Sequence, residues 1–168
     1  MKYEIRSSHP AFPDGRTITV GRRFTIVPEG SELEAGQRIP VRLSRGQAFG
    51  SGLHETTVSC IEAIERLPSV ENKTVLDVGT GTGILSLAAL FLGAKSAVVF
   101  DTDKDAAATC RRNGTINGLN QGLKVFQGTL DALKPSVLFD LVLANIYGDI
   151  ILKNVRSLAA HTREGGHL

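Results

Sequence analysis

No apolar run in the sequence is long enough to cross a bilayer, so a membrane span is set aside. The two cysteines, Cys60 and Cys110, are too few to build a disulfide framework. The opening stretch "MKYEIRSSHPAFPDG" lacks the apolar core of a signal peptide, and a cytoplasmic location is the resulting expectation. Blocks of like charge are missing as well. With 19 Lys and Arg against 17 Asp and Glu, neither a nucleic-acid footprint nor a membrane-binding tail is evident. There are no internal repeats and no low-complexity segments. Metal ligation also lacks its pattern, because Val58 stands where an H-E-x-x-H motif starting at His54 needs its second histidine. His9, His161 and His167 are expected at the surface. Cys60 and Cys110 fall on predicted helices with no His or Asp motif around them and are expected to serve packing.

What is present fits one globular domain with a small appendage. The chain has 168 residues, 42% of them hydrophobic and 21% charged, enough to bury a core. From Tyr3 to Leu43, "TITVGRRFTIVP" and "RIPVRLS" read as short strands between Pro, Gly and Asp turns, giving a β-rich N-terminal segment over residues 1–46. After the loop "RGQAFGSGLHETT", Val58, Ile61, Ile64 and Leu67 recur as on one helix face, and Pro68 ends the helix. Thereafter unbroken apolar strands such as "TVLDV", "SAVVF" and "FDLVLAN" alternate with helical segments. Residues 47–168 are therefore predicted to form an α/β domain around a doubly wound parallel sheet.

In such a sheet ligands bind beyond the C-terminal ends of the strands. The stretch "VLDVGTGTGIL" places Gly79, Gly81 and Gly83 at the first strand-to-helix turn, where residues without Cβ let a ligand lie against the main chain. Asp101, closing the next strand in "VVFDTD", should arrive beside that turn and can accept both hydroxyls of a ribose. Together they describe a nucleoside site. A P-loop needs Lys and Ser or Thr where Ile84 and Leu85 stand, and a dinucleotide fingerprint misses its third glycine, Ser86 occupying one of the two places for it. Asp77, just before the turn, disfavours a pyrophosphate and favours a cation. S-adenosylmethionine carries two cationic groups, an ammonium and a sulfonium.

"VLDVGTGTG" and "VVFDTD" resemble the first two motifs of the class I S-adenosylmethionine-dependent methyltransferases. With "GQAFGSGLHETT", "LSLAALFLGA", "RRNGTINGL" and "DLVLANI", the chain from about Val20 onward resembles the ribosomal-protein methyltransferases of the PrmA type, which methylate amino groups of large-subunit ribosomal protein eleven. The resemblance implies a Rossmann-like fold and S-adenosyl-L-methionine as cofactor. It implies that Gly79, Gly81 and Gly83 line the methionine part, that Asp101 with Thr102 meets the ribose, and that Gly128, Thr129 and Leu130 lie near the adenine. The loop from Phe49 to Thr57, with Thr56, would close over the cofactor, although Leu53 replaces a Thr of the family pattern. "HETT" has a plainer reading too, a helix start capped by Thr56 or Ser51.

Asn145 matches the family's asparagine beside the transferred methyl. Its amide oxygen could hold an unprotonated amine in line for attack, without a strong base. Relatives that modify planar nitrogens read N-P-P-Y where this chain has "NIYG", which favours an aliphatic amine. A protein acceptor, ribosomal in the resembling enzymes, is the leading expectation. Transfer to a small amine or RNA, a non-catalytic nucleoside-binding module and a nicotinamide oxidoreductase are the alternatives. The chain end "HTREGGHL" corresponds to the approach to a fifth strand that two more would follow in the resembling enzymes. The expectation is a C-terminally incomplete sheet that leaves "FDLVLAN" as an exposed apolar edge, able to bind the cofactor but inactive or prone to self-association.

Overall fold

The computed structural model describes residues 17–32, 36–44 and 54–168. The expectations for Phe49, Ser51, Leu53 and His9 lie outside the described residues.

Two sheets share one set of helices. The smaller has three strands, β1 (Ile18–Val20), β2 (Phe24–Pro28) and β3 (Ile39–Leu43), with β2 antiparallel to β1 and parallel to β3. Every residue of β2 is buried, which accounts for a strand without polar alternation. The larger sheet contains β4 (Thr74–Val78), β5 (Ser96–Asp101), β6 (Leu123–Gln127), β7 (Phe139–Ala144) and β8 (Thr162–His167), in the order β6-β5-β4-β7-β8 and parallel throughout. The chain starts this sheet at its centre, builds outward to β6, then crosses back to lay β7 on the other side of β4. That reversal opens a crevice at the C-terminal ends of β4 and β7.

Side-chain alternation divides the core. Val75, on one face of β4, joins Ile61 and Ile64 of α1 (Glu55–Arg66), Leu87 of α2 (Ile84–Phe91) and Cys110 of α3 (Lys104–Ile116). Val20, Phe24, Ile26, Val41 and Leu43 of the small sheet belong to the same cluster. Leu76 and Val78 point the opposite way, to Phe100, Phe139, Val142 and Leu158 of α4 (Gly148–Ala160). Polar clamps add direction to this packing. Glu65 accepts from the N–H groups of Arg22 and Arg23, both at 2.8 Å, and Arg112 meets Glu29 at 2.8 Å. Among the described residues no helix is long and apolar enough to cross a membrane.

Three local expectations are corrected. The cap of α1 is not Thr56 but His54, whose Nδ1 accepts from the Thr56 N–H at 3.3 Å. His161 is buried, not superficial: it closes α4, and its Nδ1 lies 2.8 Å from the Val137 carbonyl. The third concerns the edge. β8 forms on β7, so "FDLVLAN" is not left bare along its length, but the pairing joins only Phe139 to Thr162 and Leu141 to His167 across an irregularity. Beyond Leu141, among the described residues, β7 has a strand neighbour on the β4 side alone.

Candidate functional site

The expected residues from four strand ends converge at the C-terminal rim of the large sheet. Gly79, Gly81 and Gly83 follow β4 with φ of 68°, 55° and 82°, values that a side chain strains to adopt. Two of them also make room. A Cβ on Gly79 would stand 2.3 Å from Ile146 Cγ2, and one on Gly83 would stand 2.6 Å from Cys110 Sγ. Missing side chains therefore bring the end of β7 and the face of α3 against the turn.

Asp77 secures this turn from beneath. Period-two alternation sends its side chain to the face of Val75, under the start of α2, where it is 1% exposed. Its Oδ2 accepts from the Thr80 hydroxyl at 2.8 Å and from the Ser86 hydroxyl, and the Ser86 N–H also donates to the carboxylate. Burial pushes the Asp77 carboxyl above its ordinary 3.8, while the Ser86 and Thr80 hydrogen bonds pull the other way. Sequence reasoning noticed Ser86 only as the absence of a glycine. Its position in the first helical turn, on the side of the buried carboxylate, was the available signal.

Asp101 and the glycine turn meet directly. One carboxylate oxygen accepts from the Gly81 N–H at 3.0 Å and the other from the Asp103 N–H at 3.0 Å, leaving each oxygen a further lone pair. Gly79 and Thr80 donate to the Phe100 carbonyl at 2.9 and 3.0 Å, stitching the turn to the end of β5. Thr102 is exposed and accepts from Gln127 Nε2 at 3.1 Å; Gly128 donates to the Asp101 carbonyl at 2.9 Å. Thr129 leads into a single tight turn at Leu130–Ala132, with Thr129 exposed and Leu130 buried in the second cluster.

Across the crevice, Asn145 follows β7 and donates from Nδ2 to the Thr57 hydroxyl at 3.2 Å. Thr57 is fully buried in the first turn of α1, a rigid anchor for the amide. Thr56 points elsewhere, 2.7 Å from His54 Nδ1 in the helix cap. The two threonines expected together therefore separate, Thr56 as the partner of the capping His54 and Thr57 as the anchor of Asn145. Cys110 is buried, and desolvation raises its thiol to about 12, which keeps it inert. Cys60 is half-buried and burial raises its thiol as well.

This arrangement can hold a nucleoside at the ends of β4 and β5 and orient a polar acceptor at the end of β7. The ribosomal protein L11 methyltransferase (PrmA) family model matches residues 16–168. The ribosomal protein L11 methyltransferase of Bacillus pumilus is 40% identical over 81% of this chain and 44% of its own length. That of Exiguobacterium sibiricum is 39% identical over 90% and 48%. The chain thus spans about half the length of these relatives. The solved ribosomal protein L11 methylase of Lactobacillus delbrueckii subsp. bulgaricus superposes with a TM-score of 0.79 at 36% identity, over 89% of this chain and 76% of that one. With glycine turn, carboxylate and asparagine in one crevice and the match running through all of them, the chain belongs to the ribosomal protein L11 methyltransferase (PrmA) family.

Proposed function

We propose that this chain binds S-adenosylmethionine in the crevice and transfers its methyl group to an amino nitrogen of a ribosomal protein, the class of acceptor that its relatives' names carry. The observation that supports this most is the hydrogen bond from Gly81 to Asp101, which puts a bare turn and a ribose-competent carboxylate side by side. The residues fit the cofactor, because the turn offers main chain without Cβ and Asp101 keeps acceptor capacity on both oxygens. When bound, S-adenosylmethionine supplies a methyl group made electrophilic by its sulfonium.

The protein's own contribution is alignment. Asp101 would accept from the ribose hydroxyls, and Thr102, Gly128, Thr129 and Leu130 border the same strand ends. Asp77, buried beneath the turn, holds Thr80 and Ser86 and so fixes the backbone that would line the cofactor. Asn145, held through Nδ2 by Thr57, presents Oδ1 to an N–H of the acceptor. A neutral amine so oriented keeps its lone pair for the methyl, and its proton leaves to solvent after transfer; proximity supplies the acceleration. The cytoplasm, where ribosomal proteins are made, is the matching location.

Labelled methyl transfer tests the reading. With tritiated cofactor and a large-subunit ribosomal protein preparation, label should enter material that protease digests and RNase spares. RNase-sensitive label would move the acceptor to RNA. Cofactor binding without any transfer would make the chain a nucleoside-binding module.

A further inference from the structure

Cys110 and Asn113 on α3 and Asn117, its C-cap, are spaced to share one face, and that face covers both the glycine turn and the edge of β3. Asn117 ties β3 to the end of α3: its Oδ1 accepts from the Arg42 N–H at 2.8 Å, and its Nδ2 donates to the Arg42 carbonyl at 2.6 Å and to the Asn113 carbonyl at 2.7 Å. Asn113, one helical turn earlier and 0% exposed, works in two directions. Its Oδ1 accepts from the Ser44 N–H at 2.8 Å, just past β3, and its Nδ2 donates to the Thr82 carbonyl at 2.8 Å. Thr82 lies between Gly81, whose N–H holds Asp101, and Gly83, which starts α2 at φ 82°.

The turn is consequently gripped from two sides, by Asp101 at the Gly81 N–H and by Asn113 at the Thr82 carbonyl. Without the second grip, the Thr82 carbonyl loses its buried donor, and the two glycines beside it, both at positive φ, yield easily even with the Gly83 N–H still bonded to the Thr80 carbonyl at 2.8 Å. A shift there displaces Gly81, whose N–H holds Asp101 one peptide earlier, and so alters how the carboxylate is aimed. We propose that Asn113 is a positioning residue of the nucleoside site, setting the glycine turn and the Asp101 carboxylate in register, whereas Asn117 fastens the small sheet to the end of α3. This inference rests on the nucleoside reading given above.

The two asparagines supply their own control. Affinity for S-adenosylhomocysteine is measured by calorimetry, and stability by urea unfolding, for the wild type, Asn113→Ala, Asn113→Asp and Asn117→Ala. Each alanine variant breaks side-chain hydrogen bonds to the backbone, buried at Asn113 and part-buried at Asn117, so both should unfold at lower urea. Asn113→Ala should weaken binding about tenfold, and Asn117→Ala less than about twofold, because only the first loosens the turn. Asn113→Asp retains the acceptor for Ser44 but loses the donor to Thr82, and should bind as weakly as the alanine variant. If Asn113→Ala does not fold, Asn113→Ser is titrated in its place against the same two outcomes. Equal loss of affinity at both asparagines, or none at Asn113, overturns the positioning role while the nucleoside reading stands. A wild-type protein that does not bind S-adenosylhomocysteine overturns both.

Discussion

Helix α2 buries every residue from Ile84 to Leu90, whereas α4 buries only Leu158 and leaves Leu152 76% and Val155 43% exposed. The difference follows from their surroundings. The small sheet, α1 and α3 join α2 in one cluster, and four side chains, Glu65, Arg112, Asn113 and Asn117, bind that sheet to the helices. On the β7 side, α4 covers the second cluster with Leu158 and partly buried Ile151, next to a strand whose last residues have one neighbour among those described. The half of the sheet that carries the glycine turn and Asp101 is therefore supported by the small sheet and three helices, while α4, on the β7 side, exposes apolar side chains of the kind that make further contacts.

Breaking the comparison is simplest in the cores. Leu87→Ala, at a fully buried position of α2, should cost about 3 kcal/mol in urea unfolding, since the cavity cannot collapse between two sheets. A loss as small as that of a surface residue would show that the covered half is looser than described. Asp77→Ala should cost about 2 kcal/mol, because it leaves the buried Thr80 and Ser86 hydroxyls without their acceptor. Asp77→Asn, which keeps an oxygen there and removes a desolvated charge, should recover most of that loss.

Asp140 gives a smaller, pH-dependent contrast. It ties β7 to β4 through the Thr74 N–H and hydroxyl, each at 2.8 Å, and to β8 through Arg163 at 3.3 Å. The Thr74 N–H, above all, holds its carboxyl below the ordinary 3.8. A carboxyl lowered by folding adds stability that is complete above its unfolded pKa and disappears as pH falls through the folded value. The stability gap between wild type and Asp140→Asn should thus be constant near neutrality and narrow below about pH 3.8. A gap that widened on acidification would contradict the assignment. Leu152→Lys should have the least effect on stability, within about 0.5 kcal/mol. If the exposed face of α4 drives self-association, the same change should lower light scattering at high protein concentration; unchanged scattering would assign any association to another surface.

Much of the large sheet was legible because its signals are local. Apolar runs marked β4, β5 and β7, Pro68 stopped α1, and the glycines with Asp101 announced two adjacent strand ends. What escaped depends on partners distant in sequence. Nothing in "TREGGH" alternates as a strand should, and β8 forms where β7 offers an edge and Asp140 offers Arg163 a partner. His161 looks like any polar residue after a helix until the Val137 carbonyl is beside it. Asp77 could be read as a charge near a ligand, but only the hydroxyls of Thr80 and Ser86 reveal that it fastens the turn. In the same way "RRNGTINGL" marked the family without disclosing that its first asparagine reaches Thr82.

Calorimetric titration with S-adenosylhomocysteine, with NAD run beside it, tests the central claim most directly. The account predicts saturable binding of S-adenosylhomocysteine and none of NAD. It also predicts a loss of about tenfold or more in Asp101→Ala, since charge-assisted hydrogen bonds to the ribose are removed. Binding of NAD in preference to S-adenosylhomocysteine, or equal affinity in wild type and Asp101→Ala, would contradict it.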